Sequence, residues 1–306
     1  MSGVIRIAEQ HAGTLVKDAL TRLEAALSAG KSETLRAYLR TMSRFARYSL
    51  GNILLIAGQR PDATRVAGFR KWKELGRHVR RGEHGIAILA PMVRRREEAS
   101  STRRPRPEKG YAPTKTDEWL MGFKTAYVFD ISQTEGTPLP EFVRVQGDPR
   151  EYLARLRRFS EDRGIRIEYE ASLGGADGVS QGGTVRLRTG LPAAEEFSTL
   201  AHELGHELLH RDGQRRSRSI EETEAEAVAF VVCEAVGLDS RRASNDYVQL
   251  HDGKVETLVA SLQRIRDVAL PILAALGAAA STTSNRHRGG SSLCSGRTAM
   301  QSGHPG

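Results

Sequence analysis

Cysteine is scarce in this chain, two residues in 306, with Cys233 in an apolar helical pattern and Cys294 in a polar tail, so no disulfide framework is expected. Long apolar runs are also missing. The least polar stretch, Val268 to Ala280, is interrupted by Pro271 and Gly277 and falls short of the roughly 20 residues that span a bilayer. The opening MSGVIRIAEQ lacks the basic stretch and apolar core of a secretory signal, and no internal repeat is visible. With 39% hydrophobic and 27% charged residues, the expectation is a soluble, cytoplasmic, globular protein, long enough for two modest domains.

Charge is unevenly placed. Residues 1–130 hold 25 Lys+Arg against 13 Asp+Glu, and residues 131–306 hold 21 against 24, so a polyanionic partner would meet the first half. Apolar spacings of three and four predict helices over 9–29 and 32–58, then short strands at Arg65 to Phe69, Gly85 to Ala90 and Tyr127 to Phe129. Between the last two, Arg94 to Lys115 is rich in Arg, Pro, Glu and Ser and reads as a surface loop. The Gly/Pro punctuation of Thr134 to Pro149 places a domain boundary near 146, giving domains 1–146 and 147–280 and a disordered tail at 281–306. In the second domain, helices are expected at Glu151 to Asp162, Pro192 to His210, Glu221 to Val236 and Lys254 to Ala278. Strands are expected at Ile165 to Tyr169 and, as a hairpin return after Gly182-Gly183, at Thr184 to Arg188. The fold class is α+β.

His202-Glu203-Leu204-Gly205-His206 is an HExxH sequence. On a helix, positions i and i+4 lie one above the other, so His202 and His206 can share a zinc ion, and Glu203 stands beside it as general base. Ordinary surface histidines are the plainer alternative. A second HExxH, His206 to His210, overlaps the first. The first register is preferred because Phe197, Leu200, Ala201, Leu204 and Leu208 form a buried stripe that His202 and His206 flank, while His210 adjoins a polar run. A third ligand is expected from Glu221, Glu222, Glu224 and Glu226, an acidic group that could also be no more than a solvated helix start. Glu222 and Glu226 share a face, and Glu224 is held in reserve.

HELGH followed by E-x-E-A-E resembles the ImmA/IrrE-type zincin-like peptidases and the C-terminal domain of ArdC-type antirestriction proteins, over about residues 150–275. The resemblance implies His202, His206 and Glu222 as zinc ligands, with Glu226 in reserve, and Glu203 as the catalytic residue. It also implies an edge strand that aligns substrate, a role assigned to Thr184 to Arg188, and Tyr247 is a weaker candidate for an oxyanion donor.

In the first half, Arg44 to Asn52 and Phe69 to Gly85 interleave aromatics with cations, as stacking of bases and neutralisation of phosphates require. Phe45, Tyr48 and Trp72 could equally be core. F-x-x-Y-S-x-x-N, V-A-G-F-x-x-W, V-x-x-G-E-x-G-I-x-I-L-x-P and V-F-D-x-S-Q-T are similar to the single-stranded-DNA-binding N-terminal domain of ArdC-type proteins. That similarity implies DNA contacts through Arg44, Tyr48, Asn52, Trp72, Lys73, Arg77, Arg80 and Arg81. The expected protein binds single-stranded DNA and carries a zinc peptidase domain. Two alternatives are a DNA-protecting protein with an inert metal site and a regulatory protease that cleaves a repressor.

Overall fold

Periodic apolar residues fold the start of the chain into helices. The computed structural model describes residues 2–95, 118–139, 149–210, 216–238 and 255–277. Helix α1 spans Ser2–Ser28, α2 Ser32–Phe45 and α3 Leu50–Gln59. The single helix expected over 32–58 is therefore two. Ser49 interrupts it as an N-cap: its backbone is extended and its side chain accepts the Asn52 N–H.

Next come β1 (Val66–Ala67), α4 (Phe69–Glu74), β2 (Arg77–Val79), β3 (Ile86–Arg95), β4 (Glu118–Asp130) and β5 (Thr134–Gly136). Strands β1, β4 and β3 form one antiparallel sheet in that order, and β2 pairs with β5. Strands β3 and β4 are longer than their apolar stretches suggested. Arg94 and Arg95, assigned to a loop, still pair with Trp119 and Glu118, whereas residues 96–117 lie outside the described residues. The boundary near 146, Tyr247 and the tail from 281 also lie outside them.

Helix α3 closes the open edge of β3 with two side-chain amides that act as a surrogate strand. Asn52 donates to the Leu89 carbonyl at 2.9 Å and accepts its N–H at 2.7 Å. One strand repeat away, Gln59 does the same for Ala87, both at 2.9 Å. Asn52→Leu is expected to strand both Leu89 groups and to cost about 2–4 kcal/mol. A lower urea midpoint at unchanged m-value would register this loss.

The second half contains α5 (Pro149–Glu161), β6 (Arg166–Glu170), β7 (Gly178–Ser180), β8 (Thr184–Arg188), α6 (Ala193–Leu209), α7 (Arg218–Val236) and α8 (Val255–Leu276). Strand β8 is central, parallel to β6 and antiparallel to β7. The hairpin return at Gly182-Gly183 thus leads back to β7, a strand too short to stand out in the sequence. One continuous buried core joins both halves, with α2 packed on α7. Arg40 lies 3.5 Å from Glu234, and Arg266 Nε donates to the Tyr48 carbonyl at 2.8 Å. Among the described residues, no helix is long and apolar enough to cross a membrane. The whole is a mixed helix-and-sheet, α+β fold.

Candidate functional site

Helix α6 buries Phe197, Leu200, Ala201 and Leu204 completely, with Leu209 buried and Leu208 only half-buried. This stripe fixes the helix rotation and leaves His202 and His206 half-exposed beside it. Helix α7 starts on the Ser217 cap and crosses α6 at a point of close contact. A Cβ on Gly205 would come within 2.9 Å of the Ala225 Cα and 3.1 Å of its carbonyl oxygen. Only glycine lets the helices approach so closely, and Glu222, one turn before Ala225, is thereby brought over the two histidines. A glycine inside an apolar helical pattern was the sequence signal for this crossing.

The three donor atoms form a triangle. Nε2 of His202 and of His206 are 3.2 Å apart, and Glu222 Oε2 lies 3.5 and 3.4 Å from them. The edge of a tetrahedron with metal bonds of about 2.0–2.1 Å is about 3.3–3.4 Å. Burial, followed by the neighbouring His206, lowers the His202 pKa to about 4, and burial lowers that of His206. Both rings are then neutral at pH 7 and can turn lone pairs toward the carboxylate, a convergence of electron pairs that a cation relieves. Among the described residues these three are the only such cluster within reach of one ion. Glu224 and Glu226, the reserve ligands, are not part of it.

Glu203 is buried next to this triangle. Burial, then the charge of Glu222, raises its carboxyl to about 7, against an opposing hydrogen bond from the Ser180 backbone. Strand β7 packs against it: a Cβ on Gly178 would meet Glu203 Cγ at 2.9 Å and Thr199 Cγ2 at 2.6 Å. The strand at the sheet margin beside Glu203 is therefore β7, and Thr184 to Arg188, expected to be the edge, is flanked on both sides.

The overlapping HExxH is occupied by structural contacts. Glu207 accepts the Ser180 hydroxyl at 2.6 Å and the Gly183 N–H at 2.8 Å, holding the β7–β8 turn. His210 lies 3.1 Å from Glu224, a fully buried carboxylate that Arg264 of α8 also binds. Burial raises the Glu224 pKa, but hydrogen bonds from His210, Arg264 and Ser261 outweigh it and keep the carboxyl below its usual 4.5. A depressed carboxyl stabilises the fold above its unfolded value, and that contribution is lost as pH falls through the folded one. Stability should thus drop below about pH 4.5 in the native chain, and Glu224→Gln should flatten this limb, read from urea midpoints across the acid range.

The nucleic-acid candidates separate by burial. Trp72 is fully buried and its indole N–H donates to the Phe129 carbonyl at 2.8 Å, so its ring is core and cannot stack on a base. Asn52 is committed to β3, as described above. Arg77 spends its guanidinium on Thr134 and the Thr137 carbonyl across β2 and β5, at 2.8–2.9 Å. Arg80 is paired with Glu83 and the Ser132 carbonyl. Arg44 donates to the Ala63 carbonyl at 3.1 Å, and Tyr48 is half-buried edge-on against Phe45. Lys73 and Arg81 are exposed. The V-F-D-x-S-Q-T residues are structural too: Asp130 is buried and accepts the backbone N–H groups of Thr64, Arg65 and Ser132.

Residues 12–129 match the N-terminal domain of anti-restriction factor ArdC, and residues 160–243 match the IrrE N-terminal-like domain of the M78 peptidases. The metal-free crystal structure of the antirestriction ArdC protein from plasmid R388 superposes with a TM-score of 0.53 at 18% identity, covering 86% of this chain and 98% of that one. Its Mn(II)-bound form gives 0.52 at 20% identity, covering 85% and 97%. An uncharacterized protein of Bacillus anthracis is 26% identical over 244 residues, 68% of this chain, and the chain spans 41% of that relative's length. The chain therefore has the ArdC-type architecture, an ArdC N-terminal domain joined to an IrrE-like domain of the M78 peptidase type.

Proposed function

We propose that the protein is a zinc-dependent peptidase whose first half binds single-stranded DNA, in an antirestriction or mobile-element role. The carrying observation is the triangle of His202, His206 and Glu222 with a buried carboxyl, Glu203, beside it. Two imidazoles and one carboxylate are a donor set of catalytic zinc, which leaves a fourth position open. When bound, the ion would supply Lewis-acid polarisation of a scissile carbonyl and of water. Glu203 would take the proton from the attacking water and return it to the leaving amine, and its burial beside Glu222 strengthens its hold on that proton. Strand β7 would offer its backbone to an extended peptide, with the Glu207 contacts holding it rigid. Single-strand binding is supported by the ArdC match over 12–129 and the excess of cations in that half. Metal content measured beside hydrolysis of a mixed peptide library tests the peptidase. A chain that takes up zinc but cleaves nothing would remove hydrolysis from the reading.

A further inference from the structure

We infer that the outer face of the β3–β4 ribbon, through Tyr127 and Phe123, is where the bases of single-stranded DNA stack. This rests on the DNA-binding reading above and assigns its surface. Of the aromatics that the sequence offered, Trp72 is fully interior and Tyr48 partly so, whereas Phe69 is exposed. In that half, the exposed aromatic rings among the described residues are Phe69, Phe123 and Tyr127.

Register puts two of these on one face. Ile86, Ile88 and Val128 are buried on the inner side of the ribbon, so the alternate positions Phe123 and Tyr127 point outward, opposite Pro91 and Ala87. Tyr127 is 62% exposed and Phe123 42%. Beyond the irregularity at Met92/Val93, Val93 and Leu120 face each other and are also exposed, so the apolar stripe continues. Gly85 makes room at the root of the tyrosine: a Cβ there would stand 2.9 Å from Tyr127 Cβ and 3.2 Å from Phe129 Cζ. Four residues of strand set the rings about 14 Å apart, so they meet non-adjacent bases.

Charge selects the occupant. Residues 1–130 carry 25 Lys+Arg against 13 Asp+Glu, and Lys124 is exposed on the same ribbon, although strand alternation turns it to the face opposite Phe123. Exposed rings in a half with this excess of cations suit a polymer with π-faces and a phosphate backbone.

The test uses the full chain and a labelled oligothymidine in fluorescence anisotropy. Tyr127→Ala and Phe123→Ala should each weaken binding about 5- to 150-fold. Their dependence on salt should stay near that of the native chain, because phosphate contacts remain. Tyr127→Phe, which keeps the ring, should restore affinity. If the native chain binds and the double alanine chain binds equally well, the surface assignment falls and the DNA reading stands. If the native chain does not bind, both fall. A change of oligomeric state in the double variant with unaltered DNA affinity would assign this face to a second copy and overturn the inference.

Discussion

A Glu203→Gln chain is expected to keep one zinc per chain and to hydrolyse peptide about 10²- to 10⁴-fold more slowly. The amide preserves the shape beneath Gly178 but cannot accept a proton, so folding and metal uptake are separated from chemistry. His202→Ala/His206→Ala should do the opposite and lose the metal itself, since it removes two of the three donors that lie 3.2–3.5 Å apart. Unchanged zinc content in that double variant would refute the site. The pH profile carries further information. Without an ion, burial and the charge of Glu222 hold Glu203 near 7. A dication close by stabilises the carboxylate and lowers that value. Hydrolysis should therefore rise with pH along a limb centred below 7, and Glu203→Gln should remove the limb.

Gly205→Val is the second large effect. The first added carbon would fall 2.9 Å from the Ala225 Cα, and this neighbour is backbone that cannot swing away. Forced separation of α6 and α7 costs about 1–3 kcal/mol, or several degrees of Tm. The loss of zinc affinity should be larger than the loss of stability suggests, because Glu222 rides on the displaced helix while both histidines stay on α6. Thermal melts with and without zinc distinguish these effects: the native chain should gain stability from the ion and the variant should not. An undiminished zinc-dependent shift in Gly205→Val would show that the crossing does not set the site.

The helices of the second half were legible because their apolar period is sustained, and the i, i+4 histidines follow from helix geometry alone. Glu222 was reachable through its position at the start of an acidic helix, yet its choice over Glu224 depended on tertiary contacts: Glu224 faces α8, where Arg264 holds it. Strand order was less accessible. A three-residue β7 has too few positions to alternate, and parallel β6–β8 pairing cannot be told from a hairpin by composition. In the first half the ordered motifs pointed to the domain that the family model matches, and of the two roles they left open the structure gives Trp72 and Asn52 the packing one. Trp72 and Asn52 are distinctive because they hold the sheet together: an indole N–H and a carboxamide were read as ligands for DNA when their partners are the Phe129 and Leu89 backbone. Tyr127 and Phe123 escaped notice because a strand hides its outward positions until its register is known.

Helix α7 serves both halves at once. Its early turns press Ala225 on Gly205 and present Glu222 to the histidines, and further along Glu234 meets Arg40 of α2. A gene fragment ending at the Gly/Pro-rich link would deprive α2 of this neighbour and lay bare the apolar side it covers. Exchange of either half between genes thus has to carry a matching α2–α7 seam, so recombination would favour moving the pair as one heritable unit.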